Sequence, residues 1–147
     1  MKKIPFYIII LTFYGCQNNN REILPCNLNV DNGITYTDGV KYSGTCNIFY
    51  NDSLLWKTRT YKRGYITKEI GYYIDNGEVE YIGKQKKGLI HGDFISYYPN
   101  GEISIEGELY MGKYLGEWKY YDDDGSLNKT LNYNKKGEKI ESIMHKQ

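Results

Sequence analysis

Shifting the chain by 24 residues lays Gly64 on Gly88 and Gly112, and the same shift lays Gly77 on Gly101 and Gly125. Apolar side chains follow the glycines. Cys46, Ile70, Phe94 and Trp118 fall in one column, and Phe49, Tyr73, Tyr97 and Tyr121 in a second. Tyr42, Ile66, Ile90 and Tyr114 make a third, and Leu55, Val79, Ile103 and Leu127 a fourth. A fixed period of this length means a repeat architecture, in which each unit buries its apolar face only by stacking on its neighbours.

Inside a unit the pattern is that of strands. From Glu102 to Leu109, "EISIEGEL" alternates so that Ile103, Ile105, Gly107 and Leu109 share one face while Glu102, Ser104, Glu106 and Glu108 take the other. The aromatic stretch before it, Asp93 to Tyr98, is joined to it through "PNG", with "DNG" and "DDDG" at the matching places, which is a hairpin signal. A second turn falls around the glycine pairs Gly88/Gly92 and Gly112/Gly116, where positive φ and close backbone approach are required. The composition agrees: 17 Tyr and 16 Gly against 3 Pro in 147 residues suit strands and turns rather than helices. The expected fold is all-β, a meander of consecutive β-hairpins.

The spacing G-x3-G-x4-Y-x3-G occurs as Gly88, Gly92, Tyr97, Gly101 and again as Gly112, Gly116, Tyr121, Gly125. It resembles the MORN repeat in its bacterial variant form, over about Gly39 to Gly137. The earlier units depart from it: Val40, Phe49 and Ser53 stand at repeat positions in the first, and Lys68 replaces the second glycine in the next. The resemblance implies an elongated, single-layer antiparallel sheet whose hairpins stack their aromatic columns, with repeats at about 40–63, 64–87, 88–111 and 112–135 and a capping strand in 136–147. Four such hairpins span about 40 Å at the usual strand spacing. Within this register Tyr97 and Tyr121 are expected to be structural. Their neighbours Tyr98 and Tyr120 are expected to face solvent or a partner, because adjacent strand residues point oppositely.

The N-terminus reads as a targeting segment. Lys2 and Lys3 precede the apolar run Ile4 to Tyr14, about half the ~20 residues a spanning helix needs. "FYGCQNNN" then resembles the cleavage box of bacterial lipoproteins, with Gly15 before Cys16 as the lipidated residue and Phe13 and Tyr14 as departures. Residues 1–15 are the expected signal peptide, 16–32 the lipidated cysteine and tether, and 33–147 the repeat domain. More than one acyl chain on Cys16 gives stable anchoring in a cell envelope, at the periplasmic side or the cell surface. Cys26 and Cys46 remain as an even pair in an exported chain, so either they are bridged or Cys46 is a small buried hydrophobe and Cys26 an idle thiol. A bridge there pins the N-terminal linker over the first strand.

The sequence argues against several functions. Net charge is +1 and falls to about −1 without Lys2 and Lys3, so no footprint for nucleic acid remains. No Cys/His spacing fits a metal, and no cofactor motif is present. His91 and His145 are the only histidines, and neither has a nucleophile at a motif spacing. Glu106, Glu108 and Glu117 on a wet repetitive face keep a sheet soluble more readily than they form a glycosidase pair. Asp122 to Asp124 lack the spacing of a calcium loop and read as a turn. Lys84 to Lys87, "KQKKG", read as a solvated strand end. The expected function is a non-catalytic, envelope-anchored scaffold that binds another envelope protein or a surface polymer. The resemblance also implies two alternatives, an antitoxin-like neutraliser of a partner toxin and a module that contacts anionic lipid.

Overall fold

The computed structural model describes residues 26–51 and 53–145. The leader 1–15, Cys16 and the tether to residue 25 lie outside the described residues. Among the described residues twelve strands follow in chain order: β1 (Asn29–Asp31), β2 (Ile34–Thr37), β3 (Val40–Lys41), β4 (Gly44–Tyr50), β5 (Leu54–Lys62) and β6 (Tyr65–Tyr72). Then come β7 (Val79–Lys86), β8 (Leu89–Tyr97), β9 (Ile103–Tyr110), β10 (Lys113–Tyr121), β11 (Leu127–Tyr133) and β12 (Lys139–Met144). Strands β4 to β12 pair strictly in order as one nine-stranded antiparallel meander, and β1–β3 form a separate three-stranded sheet. The chain is all-β, built of consecutive hairpins.

Two kinds of connection alternate from β4 to β11, and a longer loop, 134–138, then closes β11–β12. At Arg63–Gly64, Lys87–Gly88 and Met111–Gly112 both central residues have positive φ, the two-residue I′ geometry whose twist matches that of paired strands. The other ends close through longer loops. In Tyr98–Glu102 and Asp122–Ser126 the glycine N–H bonds back three residues, from Gly101 to Tyr98 O at 2.9 Å and from Gly125 to Asp122 O at 3.0 Å. Glycine takes the left-handed position at each.

Every hairpin closed by a longer loop, together with β11–β12, has the same one-residue register shift near its mouth, and an aromatic residue occupies it. Phe49, Tyr72, Tyr97, Tyr121 and Tyr133 face Leu55, Val79, Ile103, Leu127 and Lys139. A second bulge lies toward the I′ turns, and its size varies. Between Gly83↔Phe94 and Gln85↔Ile90, three residues of β8 oppose one of β7; between Leu115↔Glu108 and Lys119↔Glu106, three of β10 oppose one of β9. Gly92 and Gly116, at φ 91° and 63°, supply the tight backbone there. In β6, where Lys68 replaces glycine, only Thr67 is extra, and its hydroxyl donates to Thr60 O at 3.1 Å.

That one-residue difference reassigns the columns. The sheet row runs Cys46, Arg59, Glu69, Gly83, Phe94, Gly107, so Glu69 and not Ile70 is in line with Phe94. Ile70 stands in the neighbouring row with Ile82 and Ile95, on the opposite face. Tyr72, rather than Tyr73, is the register partner of Tyr97 and Tyr121.

Burial is concentrated at the N-terminal end. Leu28, Cys46 and Tyr61 form the core there, with Cys26, Tyr42 and Ile66 packed against it. A disulfide joins Cys26 to Cys46, with Cα atoms 6.2 Å apart. The small sheet is tied to the large one by backbone bonds from Thr35 N to Gly64 O (2.8 Å) and Gly64 N to Tyr42 O (2.7 Å). Asn29–Asp31 therefore belongs to folded structure, although the sequence places it within the tether. Farther along, the single layer is covered by its own rings and Trp118 is the buried centre.

Candidate functional site: a sheet with one aromatic and one polar face

The aromatic face is assembled from rings seated on glycines. Tyr81 faces Gly71 across the β6–β7 ladder, and Trp118 lies over Gly107. Phe94 stacks between Tyr81 (6.2 Å) and Trp118 (6.0 Å), and Tyr114 meets Trp118 edge-on at 4.5 Å and stacks on Tyr133 at 4.9 Å. Such offset and edge-on pairs add to area burial. The indole N–H donates to Glu108 O at 3.1 Å. Of these two seats the sequence placed Gly107 on the apolar face of "EISIEGEL", and Gly71 was not singled out.

Toward the N-terminal core this face turns polar. Arg59 Nε donates to Glu69 Oε2 at 2.6 Å and the Tyr81 hydroxyl to Glu69 Oε1 at 2.7 Å, with the Arg59 and Glu69 side chains only 16% and 12% exposed. Burial pushes the Glu69 pKa up, but the hydrogen bonds from Arg59 and Tyr81 and the nearby cations outweigh it and hold the carboxyl below its usual range. Burial first, then the bond to Glu69, raises the Tyr81 phenol well above its ordinary value. Neither Arg59 nor Glu69 was singled out in the sequence: Arg59 interrupts the column of Gly83 and Gly107, and Glu69 falls with Asp93 and Glu117 in a column that reads as solvated.

The opposite face carries a row across all nine strands: Asn47, Thr58, Ile70, Ile82, Ile95, Glu106, Lys119, Thr130 and Ile143. Its polar members are bound to neighbours. Thr58 donates to Asn47 at 2.9 Å, and Glu106 accepts from the Tyr121 hydroxyl at 2.7 Å and pairs with Lys119 at 3.6 Å. Glu117 shares that lysine at 3.4 Å. Glu106 and Glu117 thus share one ammonium, and Glu108 is exposed. His145 Nε2 lies 2.8 Å from the buried Thr130 hydroxyl, a contact the sequence did not show, while His91 packs edge-on to Tyr110 at 5.2 Å. Among the described residues, no group of three or more His, Cys, Asp or Glu is placed to hold a metal ion.

The tyrosine doublets have distinct tasks. The Tyr73 hydroxyl donates to Tyr97 O at 2.7 Å, and the Tyr98 hydroxyl to Tyr121 O at 2.8 Å. Asn76 and Asn100 run alongside, their amides donating to Pro99 O (3.0 Å) and Asp123 O (2.7 Å). Each turn is therefore tied to the next. Tyr98, expected to face solvent or a partner, is half-buried and serves as one of these struts. Tyr120 is also half-buried, with the Lys129 ammonium 4.4 Å from its ring centre; burial, then the neighbouring Tyr133 and Tyr114, raise its phenol to about 12. Tyr72, Tyr97 and Tyr121 occupy the bulge column.

Compared with known proteins, the chain matches no protein-family model and no curated protein.

Proposed function

We propose that the chain is a non-catalytic binding scaffold of the MORN-like kind, held at a bacterial envelope through a lipidated Cys16. The observation that carries the scaffold reading is the nine-strand row of the polar face, which sets half-buried Ile, Thr, Glu and Lys side chains in a fixed order across the sheet. A rigid extended surface of this kind recognises another macromolecule by many modest contacts. Carboxylates on both faces support the non-catalytic reading, since Glu106 on this face is engaged by Tyr121 and Lys119, and Glu69 on the aromatic face by Arg59 and Tyr81. Anchoring is supported by Lys2, Lys3, the apolar run Ile4 to Tyr14 and Gly15-Cys16.

Crosslinking pull-down of the tagged full chain from envelope fractions tests the scaffold. Recovery of one protein or surface polymer in stoichiometric amount is expected, and recovery of a toxin instead moves the reading to immunity. Acyl labelling tests the anchor. Label is expected on the native chain and absent from Cys16→Ala; label that persists in the variant overturns the assignment.

A further inference from the structure

Because connections alternate between the two ends of the meander, charge at each end can be read from the turns. It is sorted. One end holds the loops 51–53, 73–78, 98–102 and 122–126, with Asp75, Glu78, Glu102 and Asp122 to Asp124 and, among the described residues, no Lys or Arg. The other end holds the turns at 63–64, 87–88, 111–112 and 134–138. On the part clear of the small sheet it carries Lys86, Lys87, Lys113, Lys135 and Lys136, and Glu138 is the acid of those turns.

The basic turns abut in a line. Gly112 N donates to Ile90 O at 2.8 Å, the Leu89 side chain lies against Gly112, and the Lys113 side chain lies against Gly137. None of the five lysines makes an ion pair among the described residues, and Glu138 accepts from the Asn134 amide at 2.8 Å. Exposed apolar groups are interleaved with the lysines: Tyr65, Leu89 and Tyr110. Where the small sheet leans over this end, a cleft of about 660 Å³ opens between Asn32, Gly33, Tyr65, Lys86 and Lys87.

We propose that this basic end is the docking edge for a linear anionic polysaccharide, which enters the cleft at Lys86 and Lys87 and runs across the strand ends to Lys136. The proposal deepens the scaffold reading and rests on its claim that the sheet is a binding surface, not on lipidation at Cys16. Turns at one end recur every second strand, about 9.6 Å apart at the usual strand spacing. That step is close to the ~8 Å Debye length at physiological ionic strength, so each cation acts on its own segment of ligand rather than merging into one diffuse patch. The edge is a single layer thick and offers one file of charge. One flexible chain matches it, whereas a nucleic-acid duplex presents two phosphate rows and a bilayer a plane. Tyr65 and Tyr110 give flat apolar faces against which pyranose C–H faces can rest, and the acidic far end repels the same polymer and so fixes which edge it uses.

Binding of polygalacturonate to the purified full chain, followed by anisotropy or calorimetry, tests this. Affinity is expected to fall at least about tenfold between ~50 and ~200 mM salt, as release of counterions from several contacts demands. Lys86→Gln/Lys87→Gln and Lys135→Gln/Lys136→Gln are each expected to weaken binding at least threefold, and Asp123→Asn/Asp124→Asn at the far end to leave it unchanged. Circular dichroism and the disulfide content confirm that each variant is folded. No binding at low salt, equal binding by the lysine variants, or tighter binding to duplex DNA or phosphatidylglycerol vesicles than to the polymer overturns the proposal. Retained polymer binding by a chain that takes no acyl label refutes the anchor alone. Lost polymer binding alongside a pull-down that still recovers a protein partner refutes this inference and leaves the scaffold standing.

Discussion

The Trp118 indole occupies the space that a Cβ on Gly107 would need, so a tryptophan is seated on the glycine of the neighbouring strand. Gly107 does not have a positive φ, and its requirement is therefore steric alone. Gly107→Ala is expected to displace the ring and cost about 1–3 kcal/mol, the usual range for overpacking. Gly88→Ala meets open space but sits at φ 77°, and is expected to cost about 1 kcal/mol through backbone strain. Urea denaturation of the two variants decides the point; a Gly107→Ala midpoint equal to wild type would show that the ring is not locked there.

The turn-to-turn struts give a sharper test, because they separate neighbouring tyrosines. Tyr73 and Tyr98 each donate to a backbone carbonyl of the next unit, while among the described residues the Tyr97 hydroxyl makes no hydrogen bond. Tyr73→Phe and Tyr98→Phe are expected to cost about 1 kcal/mol each, and Tyr97→Phe close to nothing. Thermal unfolding of the three variants measures it. A loss confined to Tyr97→Phe would restore the register that the 24-residue offset suggests.

The same tyrosines show how far the sequence was readable. Strand identity and turn positions were legible in "EISIEGEL", "PNG" and the Gly88 and Gly112 turns, because alternation and left-handed glycines are local properties. Which face Ile70 takes was not. Side chains alternate with period two, so a bulge one residue shorter at Thr67 than at Gly92 moves Ile70 from the Phe94 row to the Ile95 row. Nothing local in "ITKEI" states the size of that bulge. The Arg59–Glu69–Tyr81 network is a consequence of the same slip, since it sets Glu69 opposite Arg59. Charge sorting between the two ends was equally hidden. It appears only after the turns are assigned to alternate ends, and the near-zero net charge conceals it.

Reduction of the Cys26–Cys46 bridge should act locally. It closes a loop with a sequence separation of 20 and holds Leu28 against Tyr61, so its removal is expected to cost about 3 kcal/mol by the loop-entropy relation. The small sheet β1–β3 has only short strands and depends on that end of the core. Amide exchange of Asn29–Lys41 is expected to accelerate in Cys26→Ala/Cys46→Ala while β8–β11 stay protected. Uniform acceleration through β11 would mean instead that the core at Cys46 sustains the whole meander.

Acid and alkali should each find one weak point in the aromatic face. The folded pKa of Glu69 lies below its unfolded value, so ionised Glu69 contributes stability that is fully present above about pH 4.3 and lost as pH falls through the folded pKa. Phenols behave oppositely. Burial and their neighbours raise Tyr81 well above its ordinary value and Tyr120 to about 12, so their contribution is present below about pH 10 and lost as pH rises through the folded values. Glu69→Gln is expected to cost about 2 kcal/mol at neutral pH by removing a charged acceptor and to flatten the acid limb of the stability curve. Arg59→Ala should cost more, about 3–5 kcal/mol, because it leaves a nearly buried carboxylate without its cation, and it should move the acid transition upward since burial then acts with less opposition. On the alkaline side, Tyr120→Phe is expected to remove one late-ionising phenol from the near-ultraviolet titration. Denaturant unfolding across the pH range tests the first pair; an acid limb unchanged in Glu69→Gln would place the linked carboxylate elsewhere in the sheet.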